Sequence, residues 1–258
     1  MKLFLKISFL GTKYCGYQVQ NNAPTIQQAM NEASKQIFGY DCDIIGCSRT
    51  DSGVHANEFC LTVSKKSENY LEHSIPVEKI PYAFNSLLPD DISVMSALEV
   101  SDDFHARYDV KYKEYVYKIW NGKVKNPFLA DRAYKCPFYI DSEALENMKK
   151  AANQFVGTYD FSAFMATGSK ITDATRTIVY SDVLCEGDTV IFKVAADGFL
   201  YNMVRIMTGT LLDVAKGKKK PEEIKDIILS KSRTNAGTTA PACGLYLNRV
   251  FYEDYKGD

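Results

Sequence analysis

Three stretches of this chain hold residue types at spacings that could do chemistry. The first is GCSRTDSGVHA at 46–56, where Gly46, Cys47, Ser48, Ser52 and Gly53 crowd around Arg49 and Asp51. Small residues on both sides of Asp51 let a bulky planar partner approach the backbone closely. Arg49 carries the forked cation that engages phosphate or base edges. Asp-Ser-Gly between strands is also a common turn, so the acid by itself fits a structural role as well. The second stretch, FHARYDVKYKEYVYKIWNGKVKNPF at 104–128, interleaves Arg107, Lys111, Lys113, Lys118, Lys123 and Lys125 with Tyr108, Tyr112, Tyr115, Tyr117 and Trp120; Asp109 and Glu114 are its only acids. Aromatic rings stack on bases while cations hold the phosphate backbone, although the same alternation fits a half-exposed strand with polar outer positions. The third is Arg205 in YNMVRIMTGT, among Met203, Val204, Ile206 and Met207. A cation in an apolar stretch calls for an acidic partner, either a catalytic carboxylate or a structural counter-ion.

These groups need a scaffold, and the rest of the chain supplies the pattern of one. Its 258 residues can bury a sizeable core without staples. Hydrophobic residues make up 46% and charged residues 24%, the proportions of an ordinary globular protein. Thirty-one Lys and Arg against 32 Asp and Glu leave a formal net charge of −1, so an anionic partner has to be held by a local basic surface. Seven cysteines form no C-x-x-C pair, and His55, His73 and His105 are scattered, so no metal-ligand spacing is present and unpaired thiols suit a reducing cytosol. The opening MKLFLKISFL alternates as a strand, with Leu3, Leu5, Ile7 and Phe9 on one face, and no small-x-small cleavage site follows it. No apolar run approaches the roughly 20 residues needed to cross a membrane.

The spacing predicts a loop at 11–24 and then a helix opened by a Thr25/Gln28 capping box and closed by Gly39. A strand near Ile44, a strand through Phe59, Leu61 and Val63, a helix over 77–87 and a strand at 92–100 follow. That order is a split βαβ arrangement in which the Asp51 motif joins two strands. From Lys111 the pattern begins again. It runs through a strand at 113–120, a helix at 141–157, two strands around Glu186-Gly187-Asp188, helices after Tyr201 and Pro221, and a closing strand at 244–252. The chain reads as two related α+β halves, taken as 1–107 and 108–258. The KGKKK run at 216–220 reads as a solvated helix end.

Taken together, the segments GTKYCGYQVQ (11–20), GCSRTDSGVHA (46–56), FHARYDVKYKEYVY (104–117), FVGTYDFSAF (155–164), ATRTI (174–178), NMVRIMTG (202–209) and APACGLYL (240–247) resemble the TruA family of tRNA pseudouridine synthases along nearly the whole chain. Cys47, Ser48 and Ser52 stand where the family usually has Ala, Gly and Ala, and Leu10 where an acid commonly precedes Gly-Thr. The resemblance implies an α+β fold of two split-βαβ-like halves joined in a mostly antiparallel sheet flanked by helices. It implies that Asp51 is the catalytic carboxylate, that Tyr115 stacks on the target base, that Arg205 pairs with the aspartate, that Leu245 lines the base pocket and that Arg49 helps extrude the nucleotide. Arg107, Lys111 and Lys113 then belong to the tRNA-binding surface, while His55 has no chemical task and supports the loop. The implied reaction is conversion of uridine to pseudouridine at positions 38–40 of the tRNA anticodon stem-loop by a cytoplasmic homodimer. It gains and loses no group, so it needs no cofactor or metal. A flipped-out base is required, at a cost of a few kcal/mol. Pairing with a guanidinium would keep Asp51 ionised, whether it attacks ribose C1′ or takes a ribose proton. A glycosidase would need a second carboxylate across the scissile bond, and the motif supplies none.

Overall fold

A computed structural model describes residues 1–168 and 171–253. By contacts the described chain divides into an N-terminal unit, 1–111 with 246–253, and a C-terminal unit, 112–245. The sequence division at 107/108 thus differs at two places, since residues 108–111 and the closing strand from Tyr246 onward go with the first unit.

The N-terminal unit is built on β1 (Lys2–Phe9), α1 (Ile26–Phe38), β2 (Cys42–Gly46), β3 (His55–Lys65), α2 (Ile80–Asn85) and β4 (Ile92–Val100). β3 lies between β1 and β2 and runs antiparallel to both, and β4 pairs antiparallel with the other edge of β1, which is the split βαβ arrangement. Leu3, Leu5 and Ile7 are fully buried, as the alternation requires. Thr25 caps α1 by accepting from the Gln28 N–H, and Gly39 ends it in the left-handed region at φ 78°. The second arm of the capping box is not made, because the Gln28 amide donates to Glu32 instead. The expected helix over 77–87 is shorter than its pattern. A 3-10 turn at 77–79 precedes α2, Pro81 sits in its first turn, and the helix stops at Asn85, whose amide exchanges two hydrogen bonds with the Val94 backbone. The closing strand β10 (Leu245–Phe251) joins this unit through parallel pairs of Tyr246 with His55 and Leu247 with Ala56.

In the C-terminal unit the sequence gives β5 (Tyr112–Trp120), β6 (Tyr134–Lys135), α3 (Ser142–Asn153), β7 (Gly157–Asp160), β8 (Thr175–Glu186), β9 (Thr189–Ala196), α4 (Met203–Ala215) and α5 (Glu223–Ser230). β9 runs antiparallel between β5 and β8, so β5, α3 and β8 repeat the relation of β1, α1 and β2. β7 extends the sheet beside β8, and β6 adds a short parallel pair to β5. The two short strands have no counterpart in the sequence reading. α3 packs on α4 and β8, and Met148, Ala151 and Ala152 face that core. The two α+β units, each around a mostly antiparallel sheet, have the architecture that the resemblance implies. Among the described residues no helix is long and apolar enough to cross a membrane.

One polar tie secures the far end of the C-terminal sheet. Asp160, the last residue of β7, accepts from the Ser162 N–H and hydroxyl and pairs with Lys231, which closes α5 in the left-handed region. The Ser162 hydrogen bonds and the Lys231 ammonium hold its carboxyl down at about 2, against an ordinary 3.8. A depressed folded-state value means that ionised Asp160 favours the fold. Its contribution is complete above pH 4 and is lost as the pH falls through about 2. Asp160→Asn is therefore expected to lower the unfolding free energy by about 1–2 kcal/mol at neutral pH, with a deficit that shrinks below pH 4 in urea titrations.

Candidate active site

Asp51 and Arg49 sit on the loop that connects β2 to β3, and that loop is not a free turn. Cys47 at its start is fully buried and donates its N–H to the Cys60 carbonyl. From there it is laid against residues 11–17: Tyr17 N–H donates to the Thr50 carbonyl, and Gly53 N–H and the Ser52 hydroxyl both donate to the Tyr14 carbonyl. The close approach depends on glycine. A Cβ on Gly11 would lie 1.9 Å from the Val54 carbonyl oxygen, and one on Gly16, itself at φ 84°, would lie 2.4 Å from the Thr50 carbonyl oxygen. Gly53 at φ 77° turns the chain after Asp51, and the Val54 N–H donates back to the Asp51 carbonyl. The result is a half-buried Asp51 and an exposed Arg49 on a backbone held from behind.

The residues behind the loop are themselves fixed. The Tyr14 hydroxyl donates to Asp91, which also pairs with Lys13, and burial together with the Asp91 carboxylate pushes the Tyr14 phenol well above its ordinary range. Tyr17 stacks on Phe59 of β3, with ring centroids 4.4 Å apart. His55 is fully buried, accepts from the Gly11 N–H through Nδ1 at 3.0 Å and lies 4.6 Å from the Tyr246 ring. An imidazole that accepts through Nδ1 is the neutral Nε2–H tautomer. That is a structural use of His55, tying the end of the Asp51 loop to the start of the 11–17 loop.

The C-terminal unit gathers the other three predicted residues. Tyr115 and Tyr117 stand two apart on β5 and so share a face. Tyr115 is buried, with its ring edge-on to Phe199 at 5.0 Å. The fully buried Tyr117 donates its hydroxyl to the Pro241 carbonyl, and burial raises its phenol while the nearby Arg205 charge opposes the rise. Gly244 lies against the Tyr117 ring, where a Cβ would meet it at 2.6 Å, and the buried Leu245 follows directly. The same segment reaches α4. Ala240 N–H donates to the Arg205 carbonyl, and Arg205 Nε donates to the Ala240 carbonyl at 2.7 Å. Gly209 and Gly237 permit this, since a Cβ on Gly209 would lie 1.7 Å from the Thr238 carbonyl oxygen and one on Gly237 would strike the backbone of α4. Residues 237–245 thus connect Arg205, the Tyr115/Tyr117 face and Leu245.

The basic stretch divides between the units. Arg107, Tyr108 and Lys111 are exposed in the N-terminal unit, on a turn in which His105 Nδ1 accepts from the Arg107 and Tyr108 N–H groups and Asp109 accepts from the His105 N–H. Tyr108 is 75% exposed, with the Arg107 guanidinium over its ring. Lys113 is half-buried on β5, next to Glu114, which is buried against Lys193 at 3.3 Å. Sequence reasoning missed Asn202, which bonds Arg205, as well as Ala240 and Pro241. Asn ahead of a helix is a capping signal, but the use of its side chain lies in the fold.

A sequence profile for the family described as tRNA pseudouridine synthase matches residues 6–109 and 151–253. The chain belongs to that family, isomerases that convert uridine in tRNA to pseudouridine. Among curated relatives named tRNA pseudouridine synthase A, that of Thermoanaerobacter sp. (strain X514) is 44% identical over 250 residues, 97% of this chain and 99% of its own. Those of Acetivibrio thermocellus and Bacillus licheniformis are 45% and 43% identical, over 96% and 98% of this chain and 98% and 100% of theirs.

Two glycines separate backbone strain from crowding of the Asp51 loop. Gly39 and Gly16 both have positive φ, but nothing lies within 4 Å of a Cβ at Gly39. Gly39→Ala should cost about 1 kcal/mol and leave turnover unchanged. Gly16→Ala should cost more than that and slow pseudouridine formation, as read by urea unfolding beside a tRNA turnover assay.

Proposed function

We propose that the protein forms pseudouridine in the anticodon stem-loop of tRNA, at positions 38–40, with Asp51 as the catalytic carboxylate. The observation that carries this reading is the Asp51 loop, an R-T-D segment of a pseudouridine synthase held rigidly by glycine contacts while its acid stays half-buried. In the reaction the bond from ribose C1′ to uracil N1 breaks, the base turns, and C5 bonds to C1′. C5 then gives up its proton to solvent and N1 takes one up, so nothing is added or removed. Arg205 serves as counter-ion to Asp51 and favours the ionised carboxylate, which is needed either to attack C1′ or to take a ribose proton. Tyr115 stacks on the flipped uracil, Leu245 lines its pocket, and Arg49 braces the space that the base vacates. Arg107, Lys111 and Lys113 hold phosphates. Binding should therefore weaken steeply with salt despite the net charge of −1. The enzyme works in the cytoplasm as a homodimer.

Tritium release from tRNA labelled at uridine C5 tests the reading directly. Wild type is expected to release label from the anticodon arm, and Asp51→Ala to release none above background. Undiminished release by the variant would remove Asp51 as the catalyst.

A further inference from the structure

We propose that Asn202 is a positioning residue for the isomerisation, which fixes the plane of the Arg205 guanidinium; the inference rests on the reading of Arg205 as the counter-ion of Asp51. Asn202 precedes α4 in the left-handed region, at φ 58° and ψ 12°, and is one of four described non-glycine residues with positive φ. A residue at this place would ordinarily turn its side chain onto the first N–H groups of the helix. Asn202 makes no such cap. Its Oδ1 instead accepts from Arg205 Nη1 at 2.8 Å, and the facing atom has to be the amide oxygen because a guanidinium only donates.

The second fixed point is the Ala240 carbonyl, which accepts from Nε. One bond to a planar group leaves it free to swing, whereas two bonds at different nitrogens set both its plane and its rotation. The strained backbone at Asn202 aims the amide back along α4 toward the residue three positions on. A left-handed backbone outside glycine persists where surrounding structure enforces it and is concentrated at functional sites. Asn is among the few non-glycine residues that take this conformation readily. A left-handed backbone, an unused cap and a bond to the neighbouring cation therefore have one explanation, which is orientation of Arg205.

The test separates orientation from stability. Glycine takes φ 58° without strain, so Asn202→Gly removes the amide oxygen while leaving the backbone at ease. Thermal unfolding should move down by only a few degrees, the effect of one lost hydrogen bond and of glycine's freedom in the unfolded chain. Under enzyme excess, the single-turnover rate of pseudouridine formation should fall about tenfold, with tRNA affinity within twofold of wild type. In an Arg205→Met background, Asn202→Gly should cause no further loss. A wild-type rate for Asn202→Gly beside a slow Arg205→Met would overturn the positioning role and leave Arg205 in place. A full tenfold loss in both backgrounds would overturn it as well, by showing that Asn202 acts independently of Arg205. A wild-type rate for Arg205→Met would overturn the counter-ion reading itself, and this inference with it.

Discussion

A cation on an otherwise buried helix must have polar partners before the helix can pack, and the C-terminal unit is arranged around that requirement. Ten of the thirteen residues of α4 are buried, Met203, Val204, Ile206 and Met207 among them, and Arg205 sits in their midst. The reciprocal bonds between Arg205 and Ala240 meet part of that need with backbone. They form only because residues 237–240 lie against α4 at a distance that Gly209 and Gly237 permit and any side chain would forbid. Once that strand of chain is in place, the Pro241 carbonyl falls where Tyr117 can donate to it, and Gly244 covers the Tyr117 ring. Position thus passes from one glycine contact to the cation, to the aromatic face of β5 and to Leu245.

The N-terminal unit solves the corresponding problem for an acid. The carboxylate of Asp51 keeps a fixed place only if its turn does not move, and eight loop residues have little apolar surface with which to anchor themselves. The anchoring comes from behind. Residues 11–17 offer carbonyl and N–H groups to the loop, while Tyr14 and Tyr17 tie those residues to Asp91 and Phe59. His55 spans the junction as a neutral acceptor. In both units, then, backbone packed on backbone through glycine holds a charged side chain, and side-chain burial supplies the rigidity.

How much of this is legible in the sequence depends on the range of the interaction. Alternation at Leu3, Leu5 and Ile7, the Thr25 cap and the Gly39 stop are local, and each appears in the structure as its spacing requires. The resemblance of the R-T-D, E-Y-V-Y and M-V-R segments singled out Asp51, Tyr115 and Arg205, because a reaction constrains residue type at fixed places. α2 was overextended because periodicity records which residues face the core and not where the backbone stops; Asn85 ends the helix by gripping β4, a contact set by the fold. β6 and β7 have two and four residues, too few for any period to show. Asn202 and Ala240 could not be read as partners of Arg205, since one bond depends on a left-handed backbone and the other spans 35 positions.

Asn202 brings Arg205 an acceptor that carries no charge. A buried guanidinium bonded to a carboxylate forms a neutral pair, and its field at any third group is largely cancelled. The Asn202 amide oxygen and the Ala240 carbonyl bring no charge of their own, so they solvate the Arg205 guanidinium as dipoles and leave its positive charge in place. Neutral acceptors thus relieve part of the cost of burying the cation without cancelling its charge. An arginine suits the position better than a lysine for the same reason. Its donors are spread over three nitrogens in one rigid plane, so Nε and Nη1 can be committed to holding it while the group as a whole still presents its charge. An ammonium, with all its donors on one atom, could not be fixed in orientation by the same two oxygens.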